Sequence, residues 1–454
     1  VTFWTAARIG EALGAAVPAG LTCARVVTDT RALAPGDLFV ALKGERFDAH
    51  EFLEAAQAGG AVAAVVRRGT PPVLGLPLVP VADTLWALGR LARRRRDAVP
   101  GPVVAITGTN GKTSTKELVA RALGERWRVH ATRGNLNNEV GVPLTILSAP
   151  DEAEALVVEA GASVPGELAR LREIIAPTAA IVTNVSAGHL QGFGGTDGVL
   201  AEKVSLLTGV ALAVVGAEPP VLAERARRAA ARVIGAGVSP AADVRPDAWS
   251  LDSAGRGLLT FRGVAMRLSL AGRHQVDNAM LALALAELLG LDLTRVGRAL
   301  ATVTLPAGRW EVHDGGGRTV IHDAYNANPA SLGAALETVA AIRGGRPLVV
   351  AVGSMLELGD ATAAEHARLA EAIVRLDPAL VGAVGEFVPA LERHRATLGA
   401  RLVTATDADA LGRTLAPRLP AHALVLLKGS RGMRLERALP YLLPDSEVPC
   451  STTC

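Results

Sequence analysis

Apolar residues recur along most of this chain in short unbroken runs. Val103-Val104-Ala105-Ile106-Thr107, Ala155 to Val158, Ala179 to Val182, Ala211 to Val215, Leu348 to Val352, Leu380 to Val384 and Ala423 to Leu427 are of this kind. Thr319 to Ile321 is a shorter one. Runs this short, rich in β-branched residues, predict strands buried on both faces. Helical patterns fall between them, at Gly166 to Ile175, Asp197 to Leu207 and Pro219 to Ala231. Alternation of this kind predicts an α/β protein with mostly parallel sheets wrapped by helices. The first hundred residues predict a smaller set: helices over Ala6 to Leu13, Phe52 to Ala58 and Thr84 to Arg95, and strands over Leu38 to Leu42 and Ala61 to Val66. Between Trp249 and Leu270 the period drops to two, with Met266, Leu268 and Leu270 alternating with Arg267 and Ser269. That predicts an antiparallel appendage. Gln275 to Leu289 then returns to a strongly apolar helix.

Length turns this pattern into three units. A chain of 454 residues is too long for one core. Pro100-Gly101-Pro102 separates a small α/β unit, residues 1–98, from a central mostly parallel unit, residues 99–308. A third α/β unit of the doubly wound kind follows over 309–446, and 447–454 reads as a disordered tail. The charge balance, 47 basic against 44 acidic residues, argues against a nucleic-acid partner. Arg93 to Arg96 reads as a solvated helix end beside the linker rather than a polyanion site. Cys23, Cys450 and Cys454 have no metal spacing and imply no disulfide framework, which suits a reducing cytosol. No basic segment followed by an apolar core opens the chain, and the apolar run Ala279 to Ala286 meets Glu287 well short of a membrane span. The expectation is a cytoplasmic monomer with no membrane span.

The chemistry centres on Gly108-Thr109-Asn110-Gly111-Lys112-Thr113, set between a predicted strand and a predicted helix that includes Ser114. Glycines let backbone N–H groups close on phosphate oxygens, and the helix N-terminus favours negative charge. Lys112 would reach the β- and γ-phosphates and the Thr113 hydroxyl would hold Mg²⁺. The spacing departs from the common phosphate loop, which wants a Gly where this chain has Ile106; Gly108 stands only four before the Lys.

Other polar groups fall at strand ends, where ligands bind in such sheets. Glu159 follows one run; Asn184 follows another, with His189 five residues on; Asp323 and Lys428 close two more. A carboxylate and an imidazole beside a phosphate loop can hold metal ions that neutralise charge in phosphoryl transfer. The stretches Asn135 to Glu139 and Asp323 to Pro329 are too polar for a core. These residues alone leave open a nucleotide-binding regulator that does no chemistry.

GTNGKTSTK at 108–116 resembles the ATP loop of the Mur ligase family, the ATP-dependent amide-forming enzymes of peptidoglycan precursor synthesis. DTRALAPGDLFVALKGERFDAH at 29–50, GNLNNEVGVP at 134–143, HDAYNANPAS at 322–331, GSMLELGD at 353–360 and LLKGSRGM at 426–433 extend the likeness over nearly the whole chain. Within the family they resemble the member that adds D-alanyl-D-alanine to a UDP-MurNAc-tripeptide. The resemblance implies ATP and Mg²⁺ as cofactors, and catalytic roles for Lys112, Lys203, Glu159 and His189. It implies nucleotide contacts from Gly108 to Ser114 and from Asn278, Arg309 and Asp323, with Asn278 at the adenine and Asp323 at the ribose. Mg²⁺ would lie on Thr113, Glu159 and His189, with Lys203 carbamylated to hold a second ion. Thr30, Arg31 and Lys43 match the region that holds the UDP-sugar. Asn137, Asn138, Tyr325, Asn326, Asn328 and Lys428 would face the remaining substrate. Val204 and Ser205 follow Lys203 where the family commonly has Gly and Glu.

Overall fold

The computed structural model describes residues 2–186 and 190–443. The central unit is a six-stranded, all-parallel sheet. Its spatial order is Arg232–Ala236, Leu212–Gly216, Ala179–Val182, Val103–Thr107, Ala155–Glu159, Val129–Ala131. Alternate residues feed two cores, as the strand period of two requires. Val104, Ile106, Val157, Ile181 and Val214 pack on one face; Val103, Ala105, Val158, Val182 and Val215 pack on the other. Every residue of Val103–Thr107 and Ala155–Glu159 is buried, so these strands read as unbroken apolar runs rather than alternating ones.

The chain leaves Val103–Thr107 for the far edge at Val129–Ala131, returns through Ala155–Glu159, then crosses to Ala179–Val182 on the other side. Val103–Thr107 therefore stands where the winding reverses, and the crevice at its carboxyl end is the expected ligand position. The helix Arg273–Leu288 packs against Lys112–Leu123 and is buried nearly all round, beneath the antiparallel sheet Ala248–Leu251, Arg256–Phe261, Val264–Ala271.

The third unit repeats the scheme. Its order is Glu311–Gly315, Arg318–His322, Leu424–Lys428, Leu348–Val352, Leu380–Ala383, Leu402–Thr404, parallel except for the first strand. The first unit carries a small parallel sheet of Val26–Val27, Leu38–Val40, Ala63–Arg67 and Leu78–Val81. Among the described residues no helix is long and apolar enough to cross a membrane.

Where pattern reading and structure differ, the causes are local. Val129–Ala131 and Leu402–Thr404 are edge strands of three residues, and Glu311–Gly315 is mostly polar, so none shows an apolar run. The phosphate-loop helix starts at Lys112, before the predicted Ser114, because the turn needs only Gly111 ahead of it. The expected tail, 447–454, lies outside the described residues.

Candidate active site

The phosphate loop leaves the sheet at Gly108, whose φ of 147° few side chains adopt. A Cβ there would overlap Thr183 Oγ1. Gly111 opens the helix Lys112–Leu123 at φ 79°, and a Cβ would come within 2.5 Å of Asn278 Oδ1. Both glycines are required by close approach, not only by the turn. The strand runs on through Ile106, which pairs with Glu159 and Ile181, so the turn begins two residues later than in the common loop.

Cross-bracing holds the loop open. Asn110 N donates to Asn184 Oδ1 at 3.1 Å, and Asn110 O accepts from Thr183 Oγ1 at 2.5 Å and Asn184 Nδ2 at 3.0 Å. Thr109 N donates to Asn184 O at 3.0 Å. Lys112 Nζ donates to the Gly108 and Thr109 carbonyls at 2.9 and 3.2 Å. On the other side Gln275 Nε2 donates to Ser114 Oγ at 3.3 Å, Asn278 Nδ2 to Gln275 Oε1 at 3.0 Å, and Thr115 Oγ1 to Asn278 Oδ1 at 3.3 Å. Asn278 thus fixes the buried helix against the glycine turn.

Glu159 ends its strand only 3% exposed. Its carboxylate accepts from Thr113 Oγ1 and Asn137 Nδ2, both at 2.9 Å, and its backbone N–H donates to Thr132 Oγ1. A buried carboxylate held by neutral donors, with a threonine hydroxyl beside it, offers oxygen ligands that suit a hard divalent cation. Asn138 Oδ1 accepts from Gly141 N at 2.8 Å and so also orders the start of the helix Gly141–Leu147.

Lys203 projects from the helix Thr196–Ser205 and is 2% exposed, its ammonium 6.0 Å from the Phe193 ring centre. Neighbouring Glu202 accepts from Gly166 N and Leu168 N at 2.8 and 2.7 Å, which locks this helix to Glu167–Ile175 and aims Lys203. Burial, and then the Lys112 charge, push the Lys203 amine down to about 7. Burial also lowers Lys112, with the Glu159 carboxylate acting the other way.

The third unit closes the site. Lys428 pairs with Asp323 at 2.8 Å and donates to the Asp323 and Asn326 carbonyls. Trp310 N donates to Asp323 Oδ1 at 3.2 Å. The Arg309 guanidinium lies 4.0 Å from the Tyr325 ring centre, with Arg431 at 5.2 Å, and Arg309 Nε is buried with no hydrogen-bond partner. Asn328 uses both ends of its amide. Its Oδ1 accepts from Ser331 N, capping the helix Pro329–Ile342, while Nδ2 donates to Asn110 Oδ1 at 2.6 Å. That bond ties the third unit to the phosphate loop.

One cavity of about 900 Å³ takes in this set, lined from Thr109 to Ser114, by Asn137, Asn138, Glu159, Lys203 and Asn278, and by Arg309, Asp323, Tyr325, Asn326, Asn328 and Lys428. Thr30, Arg31 and Lys43 do not line it. They lie in the first unit, where Arg31 pairs with Asp29 and is 89% exposed, and Lys43 pairs with Asp48. His189 lies outside the described residues. Sequence reading missed Thr183 and Gln275 as braces, and Asn184 as one rather than as a ligand. It also missed His274, a cavity-lining imidazole pushed down to about 4 chiefly by burial. Only the position of Asn184 after a strand was a signal.

Comparison with known proteins agrees with this arrangement. The Mur ligase middle domain matches residues 106–286, and the Mur ligase glutamate ligase domain matches residues 308–431. The chain belongs to the Mur ligase family. The UDP-N-acetylmuramoyl-tripeptide–D-alanyl-D-alanine ligase of Escherichia coli is 39% identical over 78% of this chain and 79% of its own. MurF from Acinetobacter baumannii superposes with a TM-score of 0.87 at 30% identity, over 97% of this chain and 98% of its own. MurF ligase from Thermotoga maritima, solved in complex with ADP, gives 0.80 at 29% identity, over 92% and 96%. These Mur ligase relatives span nearly the same length as the chain.

Proposed function

We propose that this chain is the ATP-dependent ligase that joins D-alanyl-D-alanine to UDP-MurNAc-tripeptide, giving UDP-MurNAc-pentapeptide, ADP and phosphate. The observation that carries the reading is the single cavity in which the phosphate loop, the buried Glu159 and Lys203, and the Asp323–Lys428 pair meet. A carboxylate oxygen of the tripeptide attacks the γ-phosphorus, and ADP leaves. The acyl phosphate so formed carries a leaving group that a free carboxylate lacks. The dipeptide amine then attacks the carbonyl, phosphate departs, and the amine loses a proton as the amide forms. Lys112 and the loop N–H groups hold the phosphates in line; Asn278 takes the adenine, and Arg309 and Asp323 the ribose side. Thr113, Glu159 and Lys203, with His189, would hold Mg²⁺, which supplies neutralisation of phosphate charge. The lowered Lys203 amine fits a carbamate: the neutral form captures CO₂ and becomes an anionic oxygen ligand.

In this reading residues 1–98 hold the UDP-sugar through Thr30, Arg31 and Lys43, outside the ATP cavity, so the substrate stretches between units. Residues 99–308 hold ATP, and 309–446 present the dipeptide. Asn137, Asn138, Tyr325, Asn326, Asn328 and Lys428 line its path. In this reading the chain works as a monomer in the cytoplasm, where ATP and UDP-linked precursors are found. An acceptor panel tests the assignment. With ATP, Mg²⁺ and UDP-MurNAc-tripeptide, phosphate release should require D-alanyl-D-alanine; release with glutamate and a folate, or with diaminopimelate and a dipeptide precursor, would assign another amide ligase.

A further inference from the structure

The hairpin that opens the third unit carries a second set of donor groups. Glu311 and His313 stand two residues apart on Glu311–Gly315, so they share a face. His322 is paired directly opposite Glu311 across the antiparallel ladder, which puts it on that face too. Glu311 Oε1 lies 3.5 Å from His313 Nε2, and Glu311 Oε2 lies 3.4 Å from His322 Nδ1. One donor atom from each of the three lies within 4.8 Å of the others, the one such cluster among the described residues. Bonds of about 2.0–2.2 Å in a tetrahedral zinc site put donor atoms roughly 3.3–3.6 Å apart, and each imidazole stands near that spacing from one oxygen of the Glu311 carboxylate. His313 Nε2 is buried and makes no hydrogen bond, and the His322 side chain is 9% exposed.

The geometry points to a transition-metal site formed by Glu311, His313 and His322, suited to a zinc-class ion. Two imidazole nitrogens and one carboxylate select such an ion over Mg²⁺, which takes oxygen donors. The site sits where the chain enters the third unit. Glu311 Oε2 also accepts from Gly308 N at 3.0 Å, and His322 precedes Asp323. An ion there holds together the strand pair that carries Arg309 and Asp323, as a structural clamp separate from the ATP cavity.

Zinc titration of the metal-stripped full chain, in millimolar Mg²⁺ and against a chromophoric chelator, tests this. One Zn²⁺ should bind per chain, and Co²⁺ in its place should give the intense visible bands of a low-coordinate nitrogen-ligated ion. His313→Gln should weaken Zn²⁺ at least about tenfold, and Glu159→Gln should leave it unchanged. Glu311→Gln, on the more exposed ligand, serves if His313→Gln does not fold. Unchanged affinity in the hairpin variants, loss in Glu159→Gln, or no stoichiometric binding to the native chain would overturn the proposal.

Discussion

Lys112→Ala should lower kcat/KM for ATP-dependent ligation by about 10²–10³-fold, the usual effect of removing one preorganised charge-stabilising donor. Circular dichroism and the melting transition should stay near those of the native chain. Lys112 is the first residue of its helix, and its ammonium bonds only the Gly108 and Thr109 carbonyls of its own loop. The sheet-side braces from Thr183 and Asn184 remain, as does the Asn278 contact behind the turn. Loss should fall mainly on kcat, because the bond to the transferring phosphoryl group strengthens as charge moves on to the leaving oxygen. Steady-state kinetics with ATP and the acceptor pair measures it; a variant with native kcat would remove Lys112 from the reaction.

Lys203→Arg should cost a comparable factor, about 10² or more, although it keeps the positive charge. A guanidinium cannot form the carbamate. The argument is one of protonation. An amine at its ordinary value would be neutral in roughly one molecule in three thousand at pH 7, whereas burial brings Lys203 to about 7, where about half is neutral. The sign follows: raising pH through about 7 increases the neutral fraction, so at fixed dissolved CO₂ activation should grow with pH and fade below it. Enzyme kept in CO₂-free buffer should lose activity and regain it with bicarbonate, and Lys203→Arg should not respond. Full activity of native enzyme without CO₂ would leave the amine itself as the working group.

How much was legible depended on what each position had to satisfy. Val103–Thr107 and the glycine turn stood out because a strand buried on both faces favours apolar and β-branched residues, and only glycine tolerates the approach of Thr183 and Asn278. Asn328 was legible as a polar residue in a polar stretch, but not its grip on Asn110, a contact 218 residues away along the chain. Glu202 was unreadable for a similar reason. It caps a helix that begins 35 residues earlier, and nothing local marks it. The Glu311–His313–His322 cluster was hidden because its strand, Glu311-Val312-His313-Asp314-Gly315, has no apolar run, and its register appears only once the hairpin is paired. Thr30, Arg31 and Lys43 were picked out as loop-edge polar groups, and such groups carry no information about which cavity they serve.

The acyl phosphate is the centre of the account, and oxygen transfer tests it most directly. UDP-MurNAc-tripeptide labelled with ¹⁸O in its terminal carboxylate should be turned over with ATP and D-alanyl-D-alanine, and the released phosphate examined by mass spectrometry. The attacking carboxylate oxygen leaves with the phosphate, so each phosphate should carry one ¹⁸O from the peptide. Phosphate without label alongside formed pentapeptide would contradict the acyl-phosphate route.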